Sequence, residues 1–318
     1  MPSPRAEVLF TRFAKNYALY EGETGSAVFV CPLCLREFSF NQIKELSEEH
    51  VPPGKLGGHV QTLTCRRCNN DQGASLESKA IDFLRLESFW NAKINTPPKI
   101  RFSASASASD DETKVAVDMK RHPTLGIEFN LASVRSNPEK IKAFKAYMSS
   151  SEPKPFNLGY EFDYGAAAVG LLRIAYLQVF SLLGYSAILH RNYDNVRRQI
   201  NEYPKEILRC SWVTIDDNIP DHYLGLNVVC YPSTLRALFL GFEFQVEASV
   251  SQKVGVFMPG FDHLGIAIYK NLKVGKDSEF WVQPIRFRDS IPVLPSSTLE
   301  MWKDVLTAQS HNKKYFTR

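Results

Sequence analysis

Four cysteines in two tight pairs constrain this chain more than any other feature. Cys31-Pro-Leu-Cys34 and Cys65-Arg-Arg-Cys68 form a C-x2-C-x30-C-x2-C pattern. Two residues between cysteines let a tight turn aim both thiolates at one ion. Two such turns complete a tetrahedral four-thiolate site, the closed and structural kind of zinc site. Such a site leaves no coordination position open, so its zinc staples the fold and does no chemistry. The other two cysteines, Cys210 and Cys230, stand alone in β-like sequence. The set is therefore not a secreted disulfide framework, and the pattern is that of a metal-binding cytoplasmic protein.

A chain of 318 residues is too long for a lone zinc module. Apolar residues recur at helical spacing over residues 4–20, and again over 75–91. Asn95-Thr96-Pro97-Pro98 then stops the second helix, which places a domain boundary near residue 96. The region 97–318 is expected to form one α+β domain. It opens with β-type sequence, in which the Ser-Ala run from Ser103 to Ser109 is either low complexity or a strand of small side chains entering a turn at Asp110-Asp111. Helices follow over 138–148, 164–184 and 192–203, then mostly strands over 208–293. A last helix is expected from Ser297, ahead of a basic tail.

The apolar segment 165–189 contains Arg173 and Gln178, which favours a buried helix over a membrane span. Arg173 either finds a buried ion-pair partner or meets another protein. The N-terminus has no apolar run after its first charge, so no signal peptide is expected. The net charge of +4 permits a nucleic-acid partner without demanding one. Over residues 1–100 acidic and basic side chains nearly balance, so any basic groove must come from their arrangement in space.

Between the cysteine pairs runs Glu48-Glu49-His50-Val51-Pro52-Pro53-Gly54-Lys55-Leu56-Gly57-Gly58-His59, and Asn69-Asn70-Asp71-Gln72-Gly73 follows the second pair. A phosphodiester hydrolase needs a base that titrates near neutrality, and histidine is the natural one. It also needs a divalent cation to neutralise charge on the phosphorane and leaving oxygen, for which carboxylate and amide oxygens suit Mg²⁺ or Mn²⁺. Adjacent strand residues such as Glu49 and His50 point to opposite faces unless the strand bends.

Glu-His-Val-Pro-Pro, then Gly-Gly, then Cys-x-x-Cys-Asn with a glycine four residues after that Asn resembles the HNH endonuclease superfamily. It is most similar to the four-cysteine branch, and the likeness covers roughly residues 27 to 85. The resemblance implies a treble-clef-like ββα-metal module over residues 1–96, followed by the larger α+β domain. It implies His50 as general base, Glu49 and Asn69 as ligands of a catalytic Mg²⁺ or Mn²⁺, and Cys31, Cys34, Cys65 and Cys68 around a structural Zn²⁺. Glu48 competes with Glu49 for its role, and Asn69 is alternatively a helix cap. Lys55, His59, Arg66 and Arg67 are the candidate phosphate contacts. The expected substrate is nucleic acid, by default double-stranded DNA, and restriction or anti-phage defence is the role suggested by analogy. A protein partner or homo-oligomer stays open.

Two positions depart from the family pattern. The middle Asn is missing from His59–Thr64, where Gln61 either replaces it or leaves its role unfilled. Gln72 stands where many relatives have Lys. The competing reading is a non-catalytic zinc module that binds nucleic acid or protein; a third is an effector that cuts only when its C-terminal region is triggered.

Overall fold

A computed structural model describes residues 2–22, 28–107, 109–122, 124, 126–149, 154–208, 212–231, 237–261, 265, 268–271 and 281–284. Cys210, the helix expected from Ser297 and the basic tail lie outside them. The chain divides into one unit of Met1–Ile81 with Gly165–Arg318, and a second of Asp82–Tyr164. The division does not fall at residue 96. The reason is that the cysteine-bearing segment buries itself against a helix that the chain supplies only after residue 164.

The first unit starts with α1 (Pro4–Glu21). Ser3 caps it by accepting from the Ala6 amide, Pro4 fits its first turn, and Gly22 at φ 73° ends it. Leu9, Phe10, Phe13 and Ala14 form its buried face. Next come β1 (Phe29–Val30) and β2 (Glu37–Phe38), paired around the first cysteine turn. The antiparallel hairpin β3 (Leu46–Val51) and β4 (His59–Cys65) runs directly into α2 (Arg66–Gln72), a π-helical turn (Gly73–Glu77) and α3 (Ser78–Trp90), whose residues from Asp82 onward belong to the second unit.

Helix α5 (Tyr164–Leu183) organises this unit. It is long and apolar enough to cross a membrane, yet 83% of its most apolar window is buried inside the protein. Phe180 stacks on Phe13 of α1 with ring centroids 4.5 Å apart. The Tyr176 hydroxyl donates to the Pro32 carbonyl at 2.6 Å, inside the first cysteine turn. Gly170 passes so close to the chain before α3 that a Cβ there would lie 2.3 Å from the Leu76 carbonyl oxygen. After α5 come α6 (Tyr185–Ile188) and α7 (Asp194–Glu202), and Asn201 donates to the Leu33 carbonyl at 2.7 Å. A five-stranded antiparallel sheet completes the unit: β9 (Val213–Ile215), β10 (Gly225–Tyr231), β11 (Ala237–Glu247), β12 (Val250–Pro259) and β13 (Trp281–Pro284), in the order β13-β10-β11-β12-β9. The short helix α8 (Ile268–Asn271) precedes β13.

The second unit is a four-stranded antiparallel sheet of β5 (Phe102–Ser105), β6 (Val115–His122), β7 (Gly126–Leu131) and β8 (Asn157–Tyr160), in the order β7-β6-β5-β8, with α4 (Pro138–Met148). Its core holds Phe102, Val115, Val117, Met119 and Phe144. The Ser-Ala run thus begins as a strand. Asp110 then shapes the turn by accepting from the Glu112 and Thr113 amides at 3.0 and 3.2 Å.

Candidate active site

The four cysteine sulfurs lie within 4.8 Å of one another. Cys31 and Cys34 are brought together by a turn in which the Leu35 amide donates to the Cys31 carbonyl, with Leu35 at φ 58°. Cys65 ends β4 as the N-cap of α2, and Cys68 lies in the first turns of that helix. A tetrahedron with metal–sulfur bonds of about 2.3 Å has edges of roughly 3.8 Å, and Cys34 Sγ and Cys65 Sγ are 3.7 Å apart. The donor chemistry and the spacing fit zinc. Hydrogen bonds with Cys31 hold the Cys34 thiol down to about 6 and lower Cys65 as well, while Cys31 and Cys68 are raised. Thiols this crowded resist becoming four thiolates until a divalent cation shares their charge.

The cluster ties the hairpin to α2, and between them opens a cleft of about 710 Å³. Pro53, Gly54 and Lys55 form its hairpin-loop wall; Asn69, Asn70, Gly73, Glu77, Ser78 and Ile81 form its helical wall. The loop is shaped by its glycine pair. Gly57 sits at φ 85°, and a Cβ on Gly58 would fall 1.6 Å from the Pro52 carbonyl oxygen.

His50 is exposed, and its ring lies over Gly54 at the cleft rim: Cδ2 and Nε2 stand 3.5 and 3.8 Å from where a Gly54 Cβ would be. Asn69 lies inside α2, which begins at Arg66, so it does not cap that helix. Its Nδ2 donates to Ser47 Oγ at 2.8 Å. Its Oδ1 is turned toward Gly73, 3.4 Å from the Cβ position there. Lys55, His59, Arg66 and Arg67 are all exposed.

Glu49 is placed differently. The hairpin ladder shifts register between Glu49 and His50, with Gln61 as the additional residue on β4. The two neighbours still alternate, and Glu49 is buried, only 3% exposed. Its two oxygens accept from Arg173 Nη1 and Nη2 at 3.2 and 3.1 Å, and Oε2 also accepts from Thr64 Oγ1 at 2.8 Å. Arg173 is itself wholly buried. The alternative Glu48 accepts from Ser3 at the cap of α1. The structure therefore puts Asn69 on the helical wall of the cleft and the His50 ring beside Gly54 of its hairpin wall, while the Glu49 carboxylate is engaged by a cation of the protein's own. It does not fit the part of a free metal ligand.

No family model, curated protein or solved structure matches this chain.

Two further residues belong to the site. Glu77, about two helical turns beyond Asn69, is an ion-pair partner of Arg173 with a side chain only 13% exposed, and its Oε2 lies 3.8 Å from the Gly73 Cβ position. Gln61 donates to the Val51 carbonyl at 2.6 Å and accepts from Ser181 of α5 at 3.0 Å, tying the hairpin across its loop. Helical spacing from Asn69 could have pointed to Glu77; nothing local marks the Gln61 contacts with α5. Of the basic side chains between residues 190 and 205, Arg197 pairs with Asp194, while Arg198 and Lys205 share Glu202.

Proposed function

We propose that this chain is a zinc-stapled, metal-dependent endonuclease of the HNH type, acting on nucleic acid and by default on double-stranded DNA. The observation that carries this reading is a cleft with Asn69 on its helical wall and Gly54 and Lys55 on its hairpin wall, the His50 ring lying beside that Gly54, next to a four-cysteine cluster that fixes hairpin to helix. His50 is the group to take a proton from the attacking water, since an imidazole nitrogen is a proton acceptor and this ring is exposed beside Gly54 of the cleft. Lys55, His59, Arg66 and Arg67 are the side chains to hold the phosphate backbone. A divalent cation bound in the cleft supplies charge neutralisation at the phosphorane and leaving oxygen. The oxygens offered to it are Asn69 Oδ1 and, from the helical wall, Glu77 Oε2. Restriction or anti-phage defence in a cytoplasmic setting is the biological role we infer by analogy.

The engagement of Glu49 by Arg173 favours a second reading, a zinc module that binds nucleic acid or protein without cutting. End-labelled duplex DNA incubated with Mg²⁺, Mn²⁺ or EDTA separates the two. The nuclease gives metal-dependent fragments ending in 5′-phosphate and 3′-hydroxyl; the binding module gives retarded but intact duplex in every condition.

A further inference from the structure

We propose that the carboxylate serving a divalent cation in this cleft is Glu77, not Glu49, and that Arg173 assigns the two carboxylates their different tasks. The inference rests on the nuclease reading above and names the ligand set of that same site.

Arg173 sits between two acids. It grips Glu49 through both terminal nitrogens and also pairs with Glu77 through Nη1, while its Nε faces Gln72 Oε1 at 3.4 Å. One guanidinium against two carboxylates leaves one formal negative charge. That charge is not shared evenly. Both Glu49 oxygens are taken by Arg173, one of them by Thr64 as well, and the side chain is shut away from solvent. Glu77 gives Arg173 only its Oε1 and turns Oε2 toward Gly73, on the cleft wall. Asn69 Oδ1 faces the same glycine, because its Nδ2 is held by Ser47.

The missing Cβ of Gly73 thus marks a cradle flanked by an amide oxygen and a carboxylate oxygen, at 3.4 and 3.8 Å. Hard divalent cations take such oxygen donors and fill their remaining positions with water or substrate phosphate oxygens. The backbone here is the π-helical turn Gly73–Glu77, a form that often appears as a single turn at functional sites. Arg173 fixes the Glu77 rotamer from behind, as the partner of a ligating carboxylate does.

The test is Mn²⁺ binding to the full-length, zinc-loaded protein, read by the electron paramagnetic resonance of free Mn²⁺. Zinc content and thermal unfolding are measured on each variant as checks of the fold. Glu77→Gln is expected to weaken Mn²⁺ binding by about tenfold or more, whereas Glu49→Gln changes it by less than about threefold. If Glu77→Gln fails to fold, Glu77→Asp keeps a charge for Arg173 but draws the second oxygen back from the cradle, and it too weakens Mn²⁺ binding. The reverse ranking, or Mn²⁺ binding that ignores both positions, overturns the assignment. Metal-dependent DNA cleavage that persists in Glu77→Gln overturns it while leaving the nuclease reading standing. No Mn²⁺ binding and no cleavage by the wild-type protein overturns both.

Discussion

Arg173 and Glu49, separated by more than a hundred residues of chain, meet as a two-pronged ion pair with both side chains buried. A fully desolvated charge is tolerated only with such partners, and removing one side leaves the other uncompensated. Arg173→Met strands two carboxylates and is expected to destabilise the protein by about 3–5 kcal/mol. Urea unfolding measures the loss. A double-mutant cycle with Glu49→Gln should return a coupling of about 0.5–3 kcal/mol; additive effects would mean that the pair contributes nothing specific.

Arg173 reaches this position because α5 comes close to the chain ahead of α3. Gly170, one turn earlier on α5, makes that approach possible, since any Cβ meets the Leu76 carbonyl. Gly170→Ala is expected to cost about 1–3 kcal/mol as backbone and helix move apart. Thermal unfolding checks it, and an unchanged midpoint would show that the two segments separate freely.

The zinc cluster makes a prediction independent of catalysis. Purified protein should carry one zinc per chain, and Cys65→Ser should lose it together with the cooperative unfolding transition of the first unit. Cys65 ends β4 and caps α2, and its amide donates to Cys31 Sγ at 3.4 Å, so the metal site and the start of the helix are built at one residue. Zinc analysis and circular dichroism read the outcome. A chelator-treated protein with undiminished helix content and melting would contradict it.

Arg66 and Arg67 open α2 and are exposed. If they hold phosphates, replacing either by Ala lowers the slope of log K against log salt by about 1, with zinc content unchanged. Fluorescence anisotropy on a labelled duplex at several salt concentrations measures this. A slope indifferent to both replacements would place the DNA on another face.

What the sequence revealed follows from how local each signal is. The cysteine pairs carry their geometry in their spacing, so a cluster was legible before any fold was known. The helices of 4–20, 138–148 and 164–184 were legible because each shows a helical apolar pattern, and they correspond to α1, α4 and α5. The sequence leaves Arg173 either a buried ion pair or a protein partner, and the two acids that pair with it lie beyond any periodicity. Glu77 lies about two helical turns beyond Asn69, a spacing that suits a solvated face or a place beside a ligand; its pairing with Arg173 is a long-range contact that spacing alone does not record. The domain boundary at residue 96 followed Pro97-Pro98, a local stop. The actual division depends on α5 returning to cover the cysteine module, and no local signal records that. Strand order in the five-stranded sheet is a matter of long-range pairing for the same reason.

His50 offers the most direct test of the central claim, because it is exposed at the cleft rim and its loss costs the fold little. Supercoiled plasmid is incubated with wild-type protein or His50→Ala in Mg²⁺, Mn²⁺ or EDTA. The account predicts nicking or linearisation by the wild type only with added Mg²⁺ or Mn²⁺, and a rate lowered by about a hundredfold or more in the variant, with zinc content and melting unchanged. Equal cleavage by both proteins, or none by the folded, zinc-loaded wild type, would contradict it.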